Sequence, residues 1–239
     1  MIYFLIPFLN EEQNLGLLVS NVTSVMPEYE KFYVFVDDGS KDNSVSLLNS
    51  LLKNHNYQVL GDGKNHGPGH AFNTGFDWIL QHSKNHTDKI VTIEADNTSD
   101  LRILQQMVKI AELGYDLVLA SPYVQGGGLQ KTPLHRKFLS FMANLVVRNL
   151  LSIHAQSLSN FYRVFNISLL QAIKQKYAQI LQESGFICML EVLFKAIQLN
   201  ESIIEVPMVL HSNARKGKSK MKLVKTSFEW INFVLKNKF

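Results

Sequence analysis

The feature that most restricts the fold is an alternation, through residues 1–120, of short apolar runs with segments of helical spacing. Residues 2–6, 33–36, 57–60, 89–94 and 116–120 read as strands. The first helix follows Asn10, which is expected to cap it, with Glu11 and Glu12 in the first turn, where the helix dipole favours acids. Asp42 or Asn43 caps the second, which runs through Leu52. A third spans 70–81 with Ala71, Phe72, Gly75 and Trp78 inward; a fourth buries Leu104, Met107, Val108 and Ala111 and stops at Gly114. Strands separated by helices run parallel through right-handed crossovers, with helices on both faces. The fold class expected is therefore α/β, a Rossmann-like single domain with a mostly parallel central sheet, and its ligands should sit beyond the carboxyl ends of the strands.

Acids gather at those ends. In the stretch KIVTIEADNTSD, Glu94 and Asp96 stand two apart on extended chain, so their side chains point the same way and can converge on one cation. Hard divalent ions prefer such oxygens. Asp37 and Asp38 end the second strand, so two acidic turns remote in sequence should face one crevice. Helix capping is the other use of an acid after a strand, and Asp100 is assigned to it.

The second half is less regular. Residues 121–133, with Gly126, Gly127 and Gly128, read as a mobile loop. Residues 134–151 form a helix apolar around most of its circumference, suited either to a core or homodimer contact or to a lipid interface. Residues 161–165 suggest a strand, 188–198 a helix, and 202–211 an edge strand or ribbon. A final helix over 224–235 lines up Phe228, Ile231 and Leu235. Arg215, Lys216, Lys218, Lys220, Lys222 and Lys225 crowd together in a chain of net charge +4, which points to an anionic partner. One cysteine, Cys188, excludes an internal disulfide and suits a reducing compartment. No run reaches the roughly 18 apolar residues of a membrane span, so the expectation is a soluble protein or one on a membrane surface. The eight histidines lack the spacing of a zinc site.

The segments IPFLNEEQNL, VFVDDGSKDNS, HGPGHAFNTGF, IEADNTSD, ASPYVQGG, SNFYRVF, GFICMLEVLFKA, IIEVPMVLH and ARKGKSKMK follow one another in order. With them the chain resembles a family 2 glycosyltransferase of the GT-A fold, in the branch of dolichol-phosphate mannosyltransferase and the bacterial polyprenyl-phosphate sugar transferases. The resemblance implies that residues 1–120 bind a GDP- or UDP-linked sugar. Residues 121–239 would bind the acceptor, with a basic loop at 211–222 and an amphipathic C-terminal helix. It implies that Pro7, Leu9, Glu11 and Val36 line the nucleotide pocket, with Glu11 on the ribose, and that Asp38 accepts from the base. Glu94, Ala95 and Asp96 occupy the position of the family's D-x-D, where Mg²⁺ or Mn²⁺ bridges the diphosphate. On that resemblance Asp96 would be the principal metal ligand, and the longer Glu94 would reach the ion as the second or else a ribose hydroxyl. Arg136 faces phosphate, and Arg215 and Lys220 close over the diphosphate or the acceptor phosphate. Glu191 falls where relatives carry an acid near the acceptor.

Four positions depart from the pattern: Glu94 stands for the first Asp of the D-x-D, Pro122 for an Arg, Gln156 for an Asp that serves as base, and Asn160 for a Gly. Gln cannot take a proton, which favours an acceptor that is already ionised, whereas the loss of the Arg argues against a lipid phosphate. The activity implied is inverting transfer to a polyprenyl phosphate at the cytoplasmic membrane face, by peripheral contact and with no nucleic acid involved. One alternative is transfer to a saccharide hydroxyl in surface-polysaccharide assembly, with Glu191 as base. The other is a non-catalytic nucleotide-sugar-binding module.

Overall fold

The computed structural model describes residues 1–131, 134–217, 220 and 223–238, with 134–140 and 223–225 described in backbone alone. The first half follows the alternation read from the sequence: β1 (Ile2–Phe8), α1 (Glu12–Ser24), β2 (Lys31–Asp37), α2 (Ser44–Leu51), β3 (Tyr57–Leu60), α3 (Pro68–His82) and β4 (Lys89–Thr92). A short 3-10 turn (Leu101–Ile103) then leads into α4 (Leu104–Glu112) and β5 (Leu117–Ser121). Side chains alternate along β1, so Tyr3 and Leu5 enter the core on one face of the sheet while Ile2, Phe4, Ile6 and Phe8 enter the core on the other. On α4 the buried positions are Leu104, Met107, Val108 and Ala111, the stripe that 3.6-residue spacing requires.

The strand order is β3-β2-β1-β4-β7-β5-β8. The fifth strand does not lie beside the fourth, because β7 (Arg163–Asn166) slots between them and runs antiparallel to both. The other strands are parallel to one another, with β8 (Ile203–Pro207) at the edge beside β5. Sequence spacing marks strands but carries no signal for a late strand that inserts into an earlier gap. The reversal matters: the amino end of β7, with Arg163 opposite Thr92, lies at the carboxyl end of β4.

Three further differences follow from local chemistry. Asn10 does not cap α1; it takes a positive φ of 49°, and its Oδ1 accepts from the Lys41 amide at 2.6 Å. The glycine-rich segment is not wholly loop, since β6 (Gly128–Gln130) pairs in parallel with β9 (Val209–His211). The helix α6 (Ile167–Tyr177), which buries Ile167, Leu169, Leu170 and Ile173, was not anticipated. The expected helices α5 (Leu134–Leu151), α7 (Cys188–Gln198) and α8 (Leu223–Lys238) are present, and α5 and α8 lie against each other. No helix among the described residues is long and apolar enough to cross a membrane.

Candidate active site

The site is assembled from the turns that leave β1, β2 and β4 at one end of the sheet. Hydrogen bonds stitch the first two turns together: the Asn10 amide donates to Ser40 Oγ at 2.8 Å and the Glu11 amide to Ser44 Oγ at 2.9 Å. The third turn joins through Asn14, a buried polar residue on α1, whose backbone carbonyl accepts from Asn97 Nδ2 at 3.0 Å. Asn97 follows Asp96 at a φ of 63°, a left-handed geometry that asparagine tolerates.

Within the third turn, Asp96 is buried and its Oδ1 accepts from the Thr98 amide at 3.0 Å and the Thr98 hydroxyl at 2.6 Å. Its Oδ2 accepts from Nε and Nη2 of Arg215. Lys220 reaches Glu11 in the same way, and its ammonium also donates to the Asn10 carbonyl at 3.1 Å. Asn14 fixes the loop between these two cations by bonding both backbone polar groups of one residue, Lys216. Its Oδ1 accepts from the Lys216 amide at 2.9 Å, and its Nδ2 donates to the Lys216 carbonyl at 3.0 Å. Arg215, Lys220, Asp96 and Glu11, expected to share a site, are thus brought together. Asn14, which sequence reasoning missed, holds them; its signal was a polar residue three beyond Glu11 on the inner face of an otherwise apolar helix stripe.

Glu94 lies beside this cluster with its Oε2 accepting from Ser99 Oγ at 3.1 Å. Burial, and next the charge of Asp96, push its carboxyl up to about 7. The native state therefore holds a proton between the ordinary value of 4.5 and about 7 that the unfolded chain has released, and stability falls as pH rises through that window. Glu94→Gln is expected to raise the melting temperature at pH 8 and to change it little at pH 4, as differential scanning calorimetry at the two pH values would record.

Asp38 is buried as expected, but its carboxylate serves the protein. Oδ1 accepts from the His66 and Gly67 amides at 2.7 and 2.9 Å, and Oδ2 from Gly67 at 3.1 Å. With about four acceptor positions on a carboxylate, room remains for one outside donor. Val36 is buried in the core with Tyr3 and Leu5, so it can offer a pocket only its backbone; Pro7, half-buried, is its partner in the β1–β2 register. Leu9 is half-buried and Ala95 buried. The side chain of Arg136 lies outside the described residues, as do Lys218 and Lys222.

Glu191 is not among the residues brought together at Asp96. Buried on α7, it accepts from the amides of Gln182 and Glu183 and pairs with Lys195 at 2.7 Å. Its oxygens are occupied, which removes the geometric case for a general base. Gln156 and Ser157 donate their amides to Glu205 at 2.7 and 2.8 Å, so the turn at the departing position is clamped from β8. A second residue that the sequence reading passed over is Arg163. Fully buried, it donates to the carbonyls of Leu158, Asn160 and Met189 at 2.8, 2.8 and 2.7 Å. Burial lowers its pKa, while nearby Cys188, Glu205 and Glu94 act in the other direction. A lone arginine inside the apolar run FYRVF was the available signal.

The donor set can be tested against a divalent ion. No group of three or more His, Cys, Asp or Glu converges among the described residues. What the turn offers is Asp96, Glu94 and the buried Oδ1 of Asn97, which has no hydrogen-bond partner. One or two carboxylates is the protein share of a Mg²⁺ site that takes its remaining ligands from phosphate and water. The residues fit that use, provided Arg215 yields Asp96 Oδ2. Two surface grooves, of about 560 Å³ between α2 and β3 and about 400 Å³ beside Ser99, Arg102 and His211, include neither Asp96 nor Glu11, over which Arg215 and Lys220 lie.

A mostly parallel sheet with acidic turns at the carboxyl ends of its strands, and cations laid across them, defines an α/β protein with its charged groups gathered at one end of the sheet. Residues 3–174 match the model of glycosyl transferase family 2, and the chain belongs to that family. Polyprenol monophosphomannose synthase of Mycolicibacterium smegmatis is 29% identical over 219 residues, 91% of this chain and 79% of that protein. Undecaprenyl-phosphate mannosyltransferase of Micrococcus luteus is 26% identical over 218 residues, 91% of this chain and 86% of its own length. Among solved structures, glucosyl-3-phosphoglycerate synthase from Mycobacterium tuberculosis, in complex with Mn²⁺, UDP and glucosyl-3-phosphoglycerate, superposes with a TM-score of 0.71. It is 15% identical, with 99% of this chain and 79% of that one covered. The GT-A fold expected from the motifs is the fold observed.

Proposed function

We propose that the protein transfers a sugar from a nucleoside-diphosphate sugar to a polyprenyl phosphate, with inversion, using Mg²⁺ or Mn²⁺. The observation that carries this reading is the pairing of Arg215 with Asp96 and of Lys220 with Glu11 across the strand ends. A metal-bound diphosphate would satisfy the members of these pairs: Asp96 would hold the metal, and the freed Arg215 and Lys220 would take phosphate oxygens. The metal, when bound, neutralises charge on the departing diphosphate. Asp96 and Glu94 would hold it, and Asp38 would present its spare acceptor position to a base N–H. Arg215 and Lys220 would orient the phosphates of donor or acceptor, joined by Arg136.

The names of the two curated relatives support a lipid-phosphate acceptor, and so does chemistry. A phosphate is ionised at neutral pH and needs no base, which suits a chain with Gln at position 156 and with Glu191 engaged elsewhere. Transfer to a saccharide hydroxyl is the weaker reading on the same grounds. Radiolabelled donor incubated with protein and polyprenyl phosphate should give label that extracts into organic solvent and is released by mild acid. Label confined to water-soluble glycans would overturn the proposal.

The acceptor brings a membrane with it. Phe141, Val146 and Leu150 on α5, and Phe228, Ile231 and Leu235 on α8, are exposed on two adjacent helices, with Lys236 and Lys238 at the end of α8. Apolar faces of this kind bordered by lysines bind peripherally at the cytoplasmic face of a bilayer. Replacing Phe228 and Ile231 together by Ser should weaken sedimentation with anionic vesicles about a hundredfold, from roughly 3 kcal/mol of lost apolar burial.

A further inference from the structure

A buried ion pair lies on α7, and resting on the functional reading above we propose that Glu191 and Lys195 are positioning residues for the sugar donor: they hold the 179–184 segment against the Gly67–Gly69 turn, whose amides orient Asp38. Glu191 gathers the amides of Gln182 at 2.9 and 3.0 Å and of Glu183 at 2.8 Å. Lys195, four residues on and paired with it, donates to the carbonyls of Gln179 at 3.1 Å and Ile180 at 2.9 Å. The two charges thus satisfy both polarities of one short stretch of backbone. Leu181, between them, donates its amide to Asn73 Oδ1 on α3 at 3.0 Å.

The far side of that stretch meets the turn before α3. The Ser184 carbonyl accepts from the Gly69 amide at 2.8 Å. The approach is so close that a Cβ on Gly69 would lie 1.9 Å from the Glu183 carbonyl oxygen, and one on Gly67 would lie 2.5 Å from that of Ser184. Gly67 is also the residue whose amide bonds both oxygens of Asp38. The orientation of Asp38 therefore depends, through two backbone contacts, on a carboxylate whose oxygens are engaged by Gln182, Glu183 and Lys195. Gly185, next in the chain, is overlaid by the Glu229 carboxylate of α8, so the C-terminal helix braces the same segment.

A base at the acceptor and a device for the donor predict opposite kinetics. In the protein with Mn²⁺ and each of GDP- and UDP-mannose, Glu191→Gln should raise donor KM about tenfold, as a displaced pocket wall does, and leave kcat within a factor of about three. Lys195→Gln, which keeps the carboxylate, should reproduce that split and speed hydrogen exchange at the His66 and Gly67 amides. It also carries the test if Glu191→Gln does not fold. A fall of kcat by two orders of magnitude with donor KM unchanged, or no change in KM for either variant, overturns the inference. Failure of the unsubstituted protein to bind GDP or UDP would instead overturn the functional reading on which it rests.

Discussion

Asp96→Ala is expected to abolish Mn²⁺-dependent binding of nucleotide and with it sugar transfer, a loss of at least a hundredfold read by titration calorimetry with and without metal. The carboxylate is the buried acid of the third turn that a cation already occupies, in the form of Arg215. Asp96→Asn keeps an oxygen for Thr98 but loses the charge, and should be nearly as inactive. Asp100→Ala is the control. Its side chain accepts from the Arg102 amide at 3.1 Å and from the Arg102 guanidinium, so its removal should cost about 1 kcal/mol of stability, the usual worth of a cap, and leave binding intact. Equal loss of binding in both variants would show that the metal belongs to a different acid.

The largest loss of stability should come from Arg163→Met. The apolar side chain fits the volume, but the carbonyls of Leu158, Asn160 and Met189 then lie buried without their donor. At about 1–3 kcal/mol for each stranded group, the total is of the order of 3–9 kcal/mol, comparable with the whole stability of a typical domain. Denaturant titration followed by circular dichroism should place the midpoint far below that of the unsubstituted chain. Arg163→Lys should recover part of the loss, since an ammonium can reach some of the three carbonyls but lacks the planar fork that reaches all of them.

Much of this was legible in the sequence because it depends on periodicity. Short apolar runs and 3.6-residue spacing located β1 to β5 and α1 to α4, with ends a residue or two adrift, and the acids Glu94 and Asp96 were visible just beyond β4. What the sequence hid was long-range partnership. Nothing in Asn14 names the backbone N–H and C=O of Lys216 as its partners, and nothing in Glu191 says that its proton-accepting oxygens are filled by Gln182 and Glu183. Asp38 shows the same limit: its position at the end of β2 was readable, its service to Gly67 was not. Residue type reveals what a group can do, and only the fold reveals whether its capacity is already used.

The slot between β4 and β5 has one last implication. Since β7 fills it from the second half of the chain, a fragment cut after Ala120 would keep its acidic turns yet expose two bare strand edges at its centre, with unmet amides and carbonyls along both. Such a piece should cling to other copies of itself rather than stay dispersed. The two halves of the chain are, mechanically, two parts of a single zip.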